Sequence, residues 1–312
     1  MLKYTLCALL IAGLSGCGTL VPGAMTPIGT PPTSGETESG FTYIPIDPSP
    51  VETVAGEGCK AGSARGQLLD ALPDNAVRML VERFDTSGGV TFGASKVTAS
   101  GETYRVTVDF INADTINVPI RIRKMMRHRL SHQLEPVNLF QSAGTDYEAG
   151  SEVYDVSRAD DKALTSPEDK AFMAEYNIPV YVGVGLRVSA NVYVISGDTN
   201  ISGIGVIGAE AEASRLRGSL IVQTLGINGK AIAAALPIQS ELNRTTAQNA
   251  IVAVGSIKAL LYADETIKSP RVVGLYLPFQ GGKPLVNALI SELSKRRVQW
   301  QRPCLGSSSG KG

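Results

Sequence analysis

The chain has 312 residues, and its 29 lysines and arginines are balanced by 29 aspartates and glutamates. Hydrophobic residues make up 43% and charged residues 19%, an ordinary globular composition with enough apolar material for a sizeable core. The neutral balance supplies no overall field to draw the chain to nucleic acid, and nothing beyond the N-terminus is an uninterrupted apolar run long enough to span a bilayer.

Met1-Leu2-Lys3-Tyr4 carries one positive charge and is followed by an apolar run over 5–15 (TLCALLIAGLS), then Gly16 and Cys17. That run is too short to cross a membrane comfortably and reads as an export signal. Leu14-Ser15-Gly16-Cys17 resembles the lipobox of bacterial lipoproteins, a resemblance confined to residues 1–17. It implies removal of 1–16 and a diacylglyceryl plus an N-acyl group on Cys17. With Gly18 next, it also implies forwarding to the outer membrane, with the body in the periplasm. Several acyl chains hold a protein effectively permanently where one holds it only marginally.

Cys7 leaves with the signal, so Cys59 and Cys304 remain. In an oxidising compartment they are disulfide candidates, the alternative being two separate thiols. Closing so long a loop stabilises by at most about 5 kcal/mol. Residues 17–50 read as the lipidated cysteine and a tether rich in Pro, Gly, Ser and Thr. Taken as flexible, 18–40 has a mean reach of about 25–30 Å. The folded body then covers 51–304, with a candidate subdomain boundary near 165–179, and 305–312 is a Gly/Ser tail.

Within the body, Ala76, Val77, Leu80, Val81 and Phe84 form a helical stripe after Pro73. Residues 89–98 and 103–111 read as a hairpin turning at Ser100-Gly101. A further strand over 116–124 puts Ile116, Val118, Ile120 and Ile122 on one face and Arg121 and Arg123 on the other. Residues 133–164 read as a long loop, followed by a short helix that Ser166 caps and Asn177-Ile178-Pro179 ends.

From 180 to 194 every even position is Val, Leu or Ala, which predicts a long strand with one buried face. A return strand over 201–213 and another over 216–225, ending in the Asn228-Gly229 turn, complete an antiparallel meander. A helix follows from Thr245, with Gln248 closing a capping box. Its stripe is Ala250, Ile251, Val254, Ile257 and Leu261, and Gly255 permits close packing. Residues 271–277 read as a buried strand. Pro284 opens a last helix with Leu285, Leu289 and Leu293 inward and Lys295, Arg296 and Arg297 at its end, where cations complement the dipole. Trp300 closes the fold. The class expected is α+β, an antiparallel sheet with a few packed helices.

Arg121, Arg123, Lys124, Arg127, His128 and Arg129, with His132, are the one dense basic cluster, a candidate site for an anion or an acidic partner; the plain alternative is a solvated strand end. His128 and His132 stand four apart as zinc ligands on a helix do, but Arg129 occupies the place of a metalloprotease's glutamate, and the neighbouring cations oppose a dication. Asp198, Asn200 and Ser202 resemble half of a calcium loop, but Ala209 stands where the bidentate glutamate belongs, so a tight turn is the better reading. Glu210 and Glu212 share a strand face and read as its solvent side. No cofactor fingerprint and no hydrolase motif is present.

These features point first to a non-catalytic binding or scaffolding lipoprotein for an envelope protein partner. A subunit of an oligomeric pore is the alternative, because membrane strands also alternate; an envelope hydrolase is the third reading. Cells grown with radiolabelled palmitate are expected to label this chain, and Cys17→Ser is expected to abolish the label and release the protein into the soluble fraction. An unlabelled natural chain overturns the anchor.

Overall fold

The computed structural model describes residues 42–55, 68–72, 74–84, 90–92, 101–160, 171–196, 204–236, 240–263, 266–277 and 282–302. All lie in one compact unit, Thr33–Gly312, with no division near 165–179. Cys17, Cys59, Cys304, the turn with Asp198, Asn200 and Ser202, and the Ser166 cap fall outside the described residues.

The strands are β1 (Thr42–Ala55), β2 (Asp74–Phe84), β3 (Val90–Phe92), β4 (Thr103–Arg127), β5 (Leu134–Val137), β6 (Val153–Arg158), β7 (Met173–Val194), β8 (Leu216–Leu225), β9 (Ile227–Asn228), β10 (Ser240–Glu241), β11 (Ile267–Lys268), β12 (Arg271–Leu277) and β13 (Val298–Arg302). The helices are α1 (Ile204–Glu212), α2 (Lys230–Ala235), α3 (Arg244–Leu261) and α4 (Gly282–Lys295). An open 11-stranded sheet runs β13-β1-β12-β7-β4-β2-β3, with β8 and β10 beside β7 and with β5 and β6 beside β4. The class is α+β and mostly β. The sheet is mixed, because β1 pairs β13 in parallel.

The axis of the sheet is the β4–β7 ribbon, antiparallel from Thr103↔Tyr193 to Arg123↔Met173. The 25 residues of β4 have a contour of roughly 80 Å at strand rise, more edge than one neighbour covers. β2 therefore takes Thr103–Ala113 and β6 takes Ile120–Met125. On the far edge of β7, β8 takes Gly185–Val194 and β12 takes Val180–Gly183.

The alternating residues Val180, Val182, Val184, Leu186, Val188, Ala190, Val192 and Val194 are each at most 2% exposed. They join one core with Ala247, Ala250, Val254 and Ile257 of α3 and Leu285, Leu289 and Leu293 of α4. Full burial of a Val or Leu is worth about 1.5–3 kcal/mol, so this face supplies the main driving force. It is turned to the protein's own helices, not to lipid as the pore reading requires.

The opposite face, expected to be wet, is buried too over Ile178–Val188. Tyr43, Tyr181 and Tyr276 cluster there with Ile111, Ala113, Leu225 and Val273, their ring centroids 5.3–5.9 Å apart in edge and tilted contacts, a geometry the aromatic quadrupoles favour. Gly274 makes room for this cluster: a Cβ there would stand 2.4 Å from the Tyr43 ring. Gly185 likewise lets β4 approach, since its Cβ would stand 2.1 Å from the Phe110 carbonyl oxygen.

A row of charges crosses this second face. Arg78 of β2 stands opposite Asp109 of β4, and Asp109 opposite Arg187 of β7. Arg187 donates from Nε and Nη2 to the two Asp109 oxygens at 2.7 Å. It also donates from Nη1 to the Ile46 carbonyl at 2.7 Å and from Nη2 to the Val273 carbonyl at 2.8 Å. One guanidinium thus ties β7 to β4, β1 and β12. The Tyr43 hydroxyl donates to Asp109; burial first, and then the Asp109 charge, raise its pKa well above the usual phenol range, so it stays a neutral donor. Burial works against the Arg187 charge, but Asp109 outweighs it and the pKa is raised. Arg78 lies over the Tyr181 ring at 5.3 Å and donates to Asp74 at 2.8 Å. At the far end of the sheet the buried Trp300 donates from Nε1 to Asp114 at 2.8 Å, joining β13 to β4.

Several expectations are corrected. Residues 42–50, assigned to the tether for their prolines, belong to β1. Its register with β12 breaks between Pro45 and Ser49, an irregularity that accommodates residues without a donor. The helical stripe after Pro73 is β2: Ala76, Arg78 and Leu80 are the buried alternation, and the charge of Arg78 disguised it. β3 pairs β2, and both edges of β4 over 103–111 are taken by β2 and β7, so the expected pairing of 90–92 with β4 is replaced; Ser100 lies outside the described residues. The expected loop 133–164 contains β5 and β6, and Asn177–Pro179 lies inside β7.

Residues 204–212 are helix α1, not the middle strand of a meander. Alanine and glutamate favour helix strongly, and Ile204, Ile207 and Gly208 bury its inner face. Helix α3 begins one residue before Thr245; Asn243 is its N-cap and exchanges hydrogen bonds with Thr246, not Gln248. Gly255 faces open space.

Arg187→Met leaves Asp109 buried without its partner, which costs about 3–5 kcal/mol. Urea unfolding of the natural chain, Arg187→Met, Asp109→Leu and the double variant is expected to show the double variant more stable than either single one.

Candidate functional site

The basic residues sit at the end of β4, where its pairing with β7 stops at Arg123 and the strand turns into β5. Strand alternation divides them. Arg121 and Arg123 lie on one face, half-buried, whereas Lys124 points to the core face, where it is 7% exposed and donates from Nζ to the Gln141 carbonyl at 2.7 Å. Arg121 donates from Nε to Glu175, its cross-strand neighbour on β7, at 2.7 Å. Arg123 donates from Nη2 to Asp155, its neighbour on β6, at 2.7 Å. The exposed Arg127 donates from Nη1 to the His132 carbonyl at 2.8 Å and stands 3.8 Å from Glu148. Arg129 donates from Nε to the Tyr147 carbonyl at 2.9 Å.

Both histidines organise the hairpin. His128 Nδ1 accepts from the Leu130 and Ser131 amides at 3.3 and 3.4 Å, and its ring meets Tyr147 edge-on at 5.6 Å. His132, at φ 55°, stands 3.1 Å from Glu148. The sequence brings seven basic groups together; the fold interleaves them with Glu148, Asp155 and Glu175, so this end of the sheet carries alternating charge.

Glu210 and Glu212, expected on one strand face, lie on α1, where residues two apart diverge. Glu210 pairs with Arg215 at 3.2 Å, and Glu212 is exposed.

The surface that sequence reasoning missed is the outer face of α3. The capping box fixes where the helix starts, and Ala247, Ala250, Val254, Ile257 and Leu261 turn inward. That leaves Ile251, Val252, Gly255, Ala259 and Tyr262 outward, with Val252 66% and Tyr262 59% exposed. These positions recur at three- and four-residue intervals and make one continuous stripe. Beside it runs α1, whose Gly205 meets Ile251 Cδ1 at 3.6 Å from its Cβ position and whose Val206 is exposed. The 18 residues of α3 contain Arg244 and Lys258 and no acidic residue. The signal is present in the sequence: Ile251 and Val252 both stand apart from the face of Ala250, Val254, Ile257 and Leu261, and two apolar faces on one helix leave one of them uncovered.

No known family, no curated protein and no solved structure matches this chain.

Arg121 and Glu175 are both partly exposed, so a double-mutant cycle with Arg121→Gln and Glu175→Gln is expected to give a coupling of about 0.2–1 kcal/mol. The coupling should shrink in 1 M salt; a larger, salt-insensitive value would mark the pair as a structural keystone.

Proposed function

We propose that this chain is a lipid-anchored binding or scaffolding module of the bacterial cell envelope, held at the outer membrane through Cys17, its body joined to an envelope protein. The anchor rests on the resemblance of residues 14–17 to a lipobox. The observation that carries the binding role is the apolar stripe on α3. Single exposed apolar residues are ordinary, but a contiguous strip rimmed by polar groups marks a surface that another protein covers. Gly255 adds to this: in a helix interior it costs about 1 kcal/mol relative to alanine, and among the described residues nothing stands within 4 Å of its Cβ position.

The partner this face fits presents its own apolar strip with acidic residues at the margins, matching Arg244 and Lys258. The buried polar groups Tyr43, Asp109 and Arg187 are spent on holding strands together.

A photo-crosslinking residue at Val252 in the anchored protein, in intact cells, is expected to yield one discrete adduct whose protein component carries such a strip. The same probe at the exposed Asp146 should not yield it. Val252→Lys should lose the partner while changing stability by no more than about 0.5 kcal/mol. No adduct at Val252, or the same products at both positions, overturns the reading.

A further inference from the structure

A cleft of about 340 Å³ opens where β4, the end of β6 and the α4–β13 junction meet, and three of its lining residues are arginines: Arg158, Arg296 and Arg297. Cross-strand pairing with Ile120 sets Arg158 on β6. Its side chain is 6% exposed, and Nη2 donates to the Arg296 carbonyl at 3.3 Å, which brings the end of α4 to the cleft wall. Arg296 donates from Nη2 to Asp160 at 2.7 Å. That hydrogen bond, ahead of the nearby charges of Arg296 and Arg158, lowers the Asp160 pKa. Glu52, the other carboxylate in the lining, stands 3.5 Å from the Gln299 amide nitrogen.

Among the described residues, three arginines and two carboxylates line the cleft, and one of those carboxylates already rests on Arg296. An exposed carboxylate on an arginine at a cleft mouth occupies the place an incoming oxyanion would take. The planar fork of arginine suits phosphate oxygens two at a time. A single carboxylate needs one such fork; a cleft lined by three arginines suits a group with two charges. We propose that this cleft is a phosphate-binding site, in which a phosphate group displaces Asp160 from Arg296 and is held also by Arg158 and Arg297. The proposal does not depend on the anchor or on the α3 stripe.

The phosphate has two sources, a free phosphate compound and a phospholipid headgroup. The full-length protein, purified in detergent, is titrated with inorganic phosphate by calorimetry. The Cys17→Ser protein is floated with vesicles of phosphatidylglycerol or of phosphatidylcholine. Arg296→Gln/Arg297→Gln serves as the comparison, because both side chains are exposed and the variant should melt with the natural chain. Saturable phosphate binding that weakens about tenfold or more in the variant supports the site, and without vesicle binding it assigns a soluble ligand. Flotation with phosphatidylglycerol alone, lost in the variant, supports the site and assigns a headgroup. Absence of both kinds of binding, or equal binding by the variant, overturns it.

Discussion

The bidentate pair of Arg187 and Asp109 is the constraint on which the arrangement of the sheet depends. A guanidinium buried between two strands stays charged only with an anion beside it and acceptors for its remaining protons. Asp109 supplies the first, and the carbonyls of Ile46 and Val273 the second. Because those acceptors lie on β1 and β12, satisfying the charge draws both strands across the second face of the ribbon. The aromatic cluster then has walls, and Tyr43 reaches the shared carboxylate. Apolar burial alone would accept many sliding registers of such alternating strands; an uncompensated charge accepts few.

A ribbon as long as β4–β7 creates the functional geography. Its core face is covered along its length, by α3 beside β7 and β8 and by α4 against β6, so the core runs on to Ile120, Ile122 and Val156, and past them β4 ends in the basic hairpin. The cleft lined by Arg158, Arg296 and Arg297 lies beside β4 between the stretches that β2 and β6 cover. On the helical side, α3 has to cover the valine face with one side only. Its Ala247 packs against Gly208 of α1, where a Cβ would stand 2.5 Å away, Ala250, Val254 and Ile257 join the core, and its outer stripe is left facing water. The stripe and the cleft are separate surfaces with different chemistry, one apolar and one cationic.

Much of the sheet was legible. Strict alternation over 180–194, the bulk of 271–277 and the face of Val118, Ile120 and Ile122 all describe the strands observed, because period-two burial leaves its mark wherever a single face is apolar. Reading failed where charge or composition broke the pattern. Arg78 interrupted the alternation of β2, prolines disguised β1, and alternating Ala and Glu imitated a strand in what is α1. Of the candidate sites, the basic cluster was visible as a run, but its cross-strand carboxylates come from positions 32 and 54 residues away.

The sequence by itself determined what one segment can decide: the resemblance of the N-terminus to a lipobox, the α+β class and the strands with a clean period. Tertiary structure alone decided that Arg187 would be an internal tie, that Lys124 would be buried while Arg123 was not, and that the arginines at 158, 296 and 297 would line one cleft. The physical reason is that the energy of a charge or an apolar side chain depends on what surrounds it. Those surroundings come from strands far apart in the chain and adjacent only in the sheet.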